Sequence, residues 1–235
     1  MTENLYANDA YLKSCEATVT AAAEGAVELD RTVFYAAGGG QPGDTGRLVW
    51  AEGAAHVTDT RKGTAPGQVV HVLEDGAAAP PVGTTVTAEI DWDRRFRLMR
   101  MHTAMHLLSA VAPYPVTGGQ VGDGKGRLDF DIPEAILDKE TVTSELNALV
   151  EADHPVTEEW ITDEELAAQP DLVKTLSVKP PAGAGRVRLL RIGDSIDLQP
   201  CGGTHVLRTG EIGRLRVRKI EKKGRQNRRV SIEFE

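Results

Sequence analysis

His102-Thr103-Ala104-Met105-His106 and Cys201-Gly202-Gly203-Thr204-His205 each carry two metal-binding side chains four residues apart. Together they offer three imidazoles and one thiolate, a donor set suited to one tetrahedral zinc ion. On a helix, residues i and i+4 lie one turn apart on the same face, so His102 and His106 can share an ion. Pro200 before the second motif and Gly202-Gly203 inside it point to a tight turn, which brings Cys201 and His205 back to one place. Four of the chain's six His and two Cys fall into these two pairs. Either pair alone reads as ordinary helix or core chemistry; the two together favour a shared metal. Thr103 stands where a zincin protease carries its glutamate base, so that mechanism is not available. Four protein ligands also describe a closed structural site, whereas a catalytic zinc keeps one position open. The spacing therefore admits a metal-dependent hydrolase or a metal-stapled fold, with Cys201 the ligand that decides between them.

Two glycine-rich segments accompany the motifs. Gly38-Gly39-Gly40-Gln41-Pro42-Gly43-Asp44-Thr45-Gly46 lacks the Gly-Lys-Ser/Thr ending of a phosphate loop, and no helix pattern follows it. It reads as a cluster of β-turns or as a flexible backbone edge close to a ligand. Thr117 to Gly126 reads as a second loop, from which Gln120, Asp123 and Lys125, with Asp129 just beyond, could face a metal pocket.

The elements that must hold these residues fall into two groups. Before residue 91, short segments rich in Val, Thr and aromatics alternate with Gly, Pro and Asp: Thr18–Ala23, Val27–Leu29, Thr32–Tyr35, Arg47–Trp50, His56–Thr60, Gln68–Leu73 and Thr85–Ile90. Their spacing predicts a small barrel. From Asp93, apolar residues recur at helical spacing through Val111; Asp91 or Asp93 caps this helix and Pro113 stops it. A strand Arg127–Ile132, a helix from Pro133 to about Ala152, an extended Pro155–Thr162, a short acidic helix Asp163–Gln169, a strand Val187–Ile192 and a terminal hairpin follow. The whole reads as α+β. A β-barrel domain occupies residues 1–90, and an α+β domain with long helices on an antiparallel sheet occupies residues 91–235.

Composition narrows the class. At 235 residues, 40% apolar and 26% charged, the chain is expected to be soluble and globular. No run approaches the ~20 apolar residues of a membrane span. Met1–Tyr6 has no secretory signal character, and two cysteines, Cys15 and Cys201, suit a reducing cytoplasm. The net charge of −8 argues against a general nucleic-acid binder. Yet Arg214, Arg216, Arg218, Lys219, Lys222, Lys223, Arg225, Arg228 and Arg229 are interrupted by one acid, Glu221. Such a stripe can hold a phosphate backbone, and strand alternation would put Arg214, Arg216 and Arg218 on one face.

The His102–His106 motif, the Cys201–His205 motif followed by Thr209-Gly210-Glu211-Ile212-Gly213, and the Gly38–Gly46 motif form a specific combination. It resembles the editing domain of alanyl-tRNA synthetase and, more closely, the free-standing AlaX trans-editing proteins of medium length. The resemblance runs from about Tyr35 to Phe234. It implies ATP-independent hydrolysis of mischarged tRNA(Ala), chiefly Ser-tRNA(Ala) and in some cases Gly-tRNA(Ala). It implies one zinc ion per chain on His102, His106, Cys201 and His205. The implied fold is a first domain like the small barrel of translation factors and a second shared with threonyl-tRNA synthetase. Gly38, Gly39, Gly40, Gln41, Thr103, Gln120, Gly202, Gly203 and Thr204 are then candidates for substrate contact, and the basic stripe for the acceptor stem of tRNA(Ala). The general base is unassigned. A cytoplasmic monomer without an obligate protein partner is expected. The alternatives are a non-catalytic tRNA-binding module with a structural zinc and a metallohydrolase of small esters.

Overall fold

Strands β1 (Glu3–Asn4), β2 (Ser14–Ala23), β3 (Ala26–Leu29), β4 (Arg31–Thr32), β5 (Gly46–Trp50), β6 (Gly53–Lys62), β7 (Val69–Leu73) and β8 (Thr85–Ile90) fill the beginning of the chain. The computed structural model describes residues 1–132, 137–175 and 185–235. The chain divides into two compact units, Met1–Phe96 and Arg97–Glu235. In the first, strands close into a barrel in the order β2-β3-β7-β6-β5-β8. Alternate residues such as Val19, Leu29, Leu48, Val57, Val86 and Ala88 point inward and fill it.

One expected strand is corrected. Of Thr32–Tyr35, only Thr32 is strand, in β4, which pairs in parallel with β1. Val33 and Phe34 are nevertheless fully buried. Their segment bends because side chains satisfy its backbone: Phe34 N–H donates to Thr32 Oγ1 (3.0 Å) and Tyr35 N–H to Asp44 Oδ2 (2.6 Å). Asp44 is in turn held by Arg95, whose Nε lies 3.0 and 2.9 Å from its two carboxylate oxygens. Arg95 also donates to the carbonyls of Ala10 (3.0 Å) and Val33 (2.7 Å). Both charges are buried, so this paired and fully hydrogen-bonded arrangement is what makes their burial tolerable.

Helix α1 (Trp92–Val111) begins in the first unit, capped by Asp91, whose Oδ1 accepts from Arg94 N–H (3.1 Å). It ends before Pro113, as expected. In the second unit, β9 (Val116–Val121) and β10 (Lys125–Asp131) form a hairpin, so the Thr117–Gly126 segment is mostly strand rather than loop. Its glycines hide the strand pattern in the sequence, and Gly126 has a packing reason. A Cβ there would lie 2.7 Å from Met105 Sδ and 2.9 Å from Met101 Sδ of α1.

The second helix is shorter than expected. Helix α2 is Lys139–Glu151, with Asp138 as N-cap accepting from Thr141 N–H (2.8 Å). Leu137 is not helical; Pro133 and Ile136 lie outside the described residues. After α2 come β11 (Val156–Thr162), α3 (Asp163–Ala167), β12 (Arg186–Ile192), β13 (Asp197–Pro200), β14 (Leu215–Lys222) and β15 (Asn227–Phe234). They form two antiparallel sheets, β14-β15-β10-β9 and β11-β12-β13, rather than one. Side chains of α2 cover the outer strand β14. Asn147 donates to Leu215 O (2.8 Å) and accepts from Leu215 N–H (3.0 Å), and Thr143 Oγ1 accepts from Val217 N–H (3.0 Å). These bonds occupy an edge that would otherwise be open to another strand. No described helix is long and apolar enough to cross a membrane.

Candidate metal centre

Helix α1 places His102 and His106 one turn apart, with ring centroids 5.4 Å from each other. Beyond β13 the chain stays beside β12, where Cys201 N–H donates to Arg188 O (3.1 Å), and then turns back through Gly202 and Gly203. His205 thereby arrives with its ring centroid 4.3 Å from that of His102 and 4.9 Å from that of His106. The Cys201 sulfur lies 3.6 Å from His102 Nε2 and 3.2 Å from His205 Nε2. All four donor atoms fall within 4.8 Å of one another. Around a tetrahedral zinc, sulfur and nitrogen ligands stand about 3.6 Å apart and two nitrogens about 3.3 Å. The Cys201–His102 separation matches that spacing, the Cys201–His205 separation is shorter, and the widest pair would have to close by about 1 Å to meet it. These four residues can hold one metal ion.

The other ring nitrogens are fixed by partners. His106 Nδ1 is 2.8 Å from Asp197 Oδ2, which leaves Nε2 for the metal. His205 Nδ1 is 3.3 Å from Thr103 Oγ1. Asp197 is itself saturated. Gln199 Nε2 donates to Oδ2 (2.7 Å) and Lys174 Nζ to Oδ1 (2.6 Å). The same amide nitrogen lies 3.1 Å from Ser109 Oγ, whose hydroxyl donates to His106 O (2.9 Å).

Electrostatics follow from this packing. Burial works against charge on His106, but its bonds to Asp197 and Cys201 prevail and push its pKa up to about 10. Burial, only partly offset by the Cys201 thiolate, pushes His205 down to about 3. Cys201 is half-buried, and its desolvation by itself favours the thiol, yet the surrounding imidazoles of His102, His205 and His106 hold it well below the ordinary thiol range. The surroundings of Cys201 therefore favour its thiolate, the form in which it would bind a cation.

Arg188 secures the turn. Almost fully buried on β12, it donates from Nε to Cys201 O (2.9 Å), from Nη1 to Glu158 Oε1 (2.8 Å) and from Nη2 to Gly203 O. One planar guanidinium thus anchors two carbonyls of a segment whose glycines have no side chains to anchor it.

The same four ligands belong to a chain with known relatives. Residues 7–94 match the family described as tRNA synthetases class II (A), and residues 187–231 match the threonyl and alanyl tRNA synthetase second additional domain. Alanyl-tRNA editing protein AlaX-M of Methanosarcina mazei is 37% identical across 98% of this chain and 95% of its own length. Its counterpart in Methanosarcina acetivorans is 38% identical across 98% of each. The chain belongs to the AlaX-M alanyl-tRNA editing proteins. It is also 36% identical, over 94% of its length, to the alanine–tRNA ligase of Pyrobaculum arsenaticum, of which it matches 25%.

Against that membership, the expected substrate residues separate. Gly202 has open space around its Cα, while Gly203 and Thr204 are buried. Thr103 is fully buried and its hydroxyl is fully engaged. It donates to Met99 O (3.0 Å), accepts from Val206 N–H (3.2 Å) and meets His205 Nδ1. In this arrangement its hydroxyl supports the ring of His205. Strand alternation sets Gly119 and Val121 inward, and Gln120 outward beside Arg127, which donates to its Oε1 (3.3 Å) on the face away from α1. Lys125 and Asp129 share that outer face, Asp129 paired with Arg229 and Arg127, while Asp123 in the adjoining turn pairs with Arg97. Gly38 and Gln41 close a tight turn by mutual backbone bonds of 3.1 and 2.9 Å, with Gly39 and Gly40 at φ +57 and +83. This turn lies in the first unit, and all four candidate metal ligands lie in the second.

In the hairpin, Arg214, Arg216 and Arg218 are exposed on one face. Much of the stripe is neutralised locally. Arg216 and Arg218 pair with Glu233, Arg214 with Glu235, Lys219 and Lys223 with Glu221, and Arg229 with Asp129. Among the described residues, Lys222, Arg225 and Arg228 have no acidic partner. Sequence reasoning missed Arg188, Asp197, Gln199 and Lys174. The one signal was the pair of arginines, Arg188 and Arg191, inside the apolar run Val187–Ile192, which did not single out Arg188.

Proposed function

We propose that the protein deacylates mischarged tRNA(Ala), chiefly Ser-tRNA(Ala) and also Gly-tRNA(Ala), with one zinc ion held by His102, His106, Cys201 and His205. The observation that carries this reading is the convergence of those four donors within 4.8 Å in a member of the AlaX-M family. Its logic is double-sieve editing: a site built for alanine rejects an added hydroxyl by only about a hundredfold, and a second hydrolytic site removes the error. Zinc bound there supplies a Lewis-acidic charge to polarise or orient the aminoacyl group. Asp197 and Thr103 hold the His106 and His205 rings with Nε2 toward the ion, and Arg188 keeps the Cys201–His205 turn closed. Gly38, Gly39, Gly40, Gln41, Gly202, Gly203 and Thr204 remain the proposed substrate contacts. No side chain is assigned as general base; the terminal ribose hydroxyl of the tRNA can take that part. The acceptor stem meets the terminal hairpin, chiefly through the cations with no local acid. The barrel domain and the editing domain divide near residue 91, at the start of α1, in a cytoplasmic monomer.

Release of serine from Ser-tRNA(Ala) tests the proposal directly. Metal-loaded protein is expected to hydrolyse the ester, and a chelator or His106→Ala is expected to abolish hydrolysis while tRNA affinity survives. Binding without hydrolysis by the metal-loaded protein would establish a non-catalytic tRNA-binding module instead.

A further inference from the structure

The sheet β11-β12-β13 carries a row of side chains that starts at the metal ligands and ends in solvent. Cys201 lies beside Arg188, and Arg188 is directly opposite Trp160 on the outer strand β11. Directly opposite residues share a face, so Cys201, Arg188 and Trp160 lie in line across three strands on the face that also bears Asp197 and Gln199. Two strand spacings separate Trp160 from Cys201, about 10 Å. Trp160 is 45% exposed, the one aromatic among the large exposed apolar residues. Arg186, two positions from Arg188 along β12, lies over the indole with its guanidinium carbon 4.3 Å from the ring centroid. The pair therefore sets an exposed indole beside a guanidinium that, among the described residues, has no carboxylate partner. It matches a nucleotide, whose base stacks on aromatic rings and whose phosphate meets arginine.

We propose that Trp160 and Arg186 form a stacking platform for an unpaired nucleotide at the 3′ end of the RNA whose ester reaches the metal centre. The platform rests on the proposed deacylation for the identity of its ligand. It adds a site that would hold the single strand beside the reacting end, while the hairpin meets the paired stem. Base stacking on an aromatic is sequence-tolerant, so the platform would serve orientation rather than selection of tRNA(Ala).

Trp160 stands at an exposed position of an outer strand, so its replacement spares the core. Steady-state deacylation of Ser-tRNA(Ala) by Trp160→Ala is expected to show KM raised roughly tenfold with kcat within about twofold. Trp160→Phe is expected to stay near wild type, because a ring is kept. Adding the single-stranded trinucleotide CCA should quench tryptophan emission in the wild type and not in Trp160→Phe, where Trp50 and Trp92 give the background. An unchanged KM in Trp160→Ala, together with equal quenching in wild type and Trp160→Phe, would overturn the platform. If wild-type protein releases no serine, the deacylation reading fails on its own. The quench then decides the platform alone: its presence only with Trp160 upholds a single-strand site, and its absence removes it.

Discussion

His106 Nδ1 stands 2.8 Å from Asp197 Oδ2, and the second carboxylate oxygen receives Lys174. A buried carboxylate with its own partners thus fixes the ring of one candidate metal ligand from behind. Removing such a support commonly lowers metal affinity 10–100-fold. Asp197→Asn is expected to do so in a chelator competition with zinc, and Gln199→Ala to have a smaller effect. Unchanged affinity in Asp197→Asn would mean that packing alone orients the ring.

Arg188 predicts a different signature. Lysine keeps the charge but cannot serve three acceptors with one planar fork. Arg188→Lys should leave the Gly203 carbonyl unpaired, costing about 1–3 kcal/mol in urea unfolding, and should weaken zinc binding at the same time. A variant that loses stability but binds zinc as tightly as wild type would separate the fold of the turn from the geometry of its ligands.

His71 gives the barrel a pH dependence. It is fully buried, with Nδ1 donating to Val27 O (3.1 Å) and Nε2 accepting from Thr32 Oγ1 (2.8 Å). Burial, only partly offset by the Val27 carbonyl, pushes its pKa down from 6.5 to about 4. Below pH 6.5 the unfolded chain takes up a proton that the folded barrel refuses, so stability falls as pH drops and levels off near 4. The loss amounts to about 3 kcal/mol. The difference in urea midpoint between pH 7 and pH 4.5 should shrink in His71→Gln; an identical pH slope in both proteins would exclude His71 as the cause.

The hairpin prediction follows from its ion pairs. Lys222 and Arg225 have no acidic ion-pair partner among the described residues, whereas Arg216 pairs with Glu233. Each phosphate-contacting cation removed should flatten the salt dependence of tRNA binding by about one unit in the log–log slope. Lys222→Ala and Arg225→Ala are expected to approach that value and Arg216→Ala to fall short of it. Equal slopes in all four proteins would take the hairpin out of the interface.

The sequence by itself determined the candidate ligand set, the barrel and α1. An i, i+4 pair on a helix, a Pro-Cys-Gly-Gly turn, and short Val- and Thr-rich strands punctuated by glycine are local patterns that declare themselves within a few residues. It also carried the family, through motifs that need no coordinates. Local pattern misled where glycine replaced strand side chains, as in β9, and where a proline at position 133 looked like a helix start while Asp138 supplied the cap. Only the tertiary structure decided the rest. The supports of the metal ligands, Asp197 and Arg188, act across 91 and 13 residues of chain, and nothing at those positions marks their partners. Gln120 turned away from α1, and Thr103 spent its hydroxyl on the protein, because strand alternation and hydrogen-bond capacity are settled only when neighbouring elements pack. The basic stripe lost much of its charge to Glu221, Glu233, Glu235 and Asp129 for the same reason: which charges meet is decided by register and packing between strands, not by their count along the sequence.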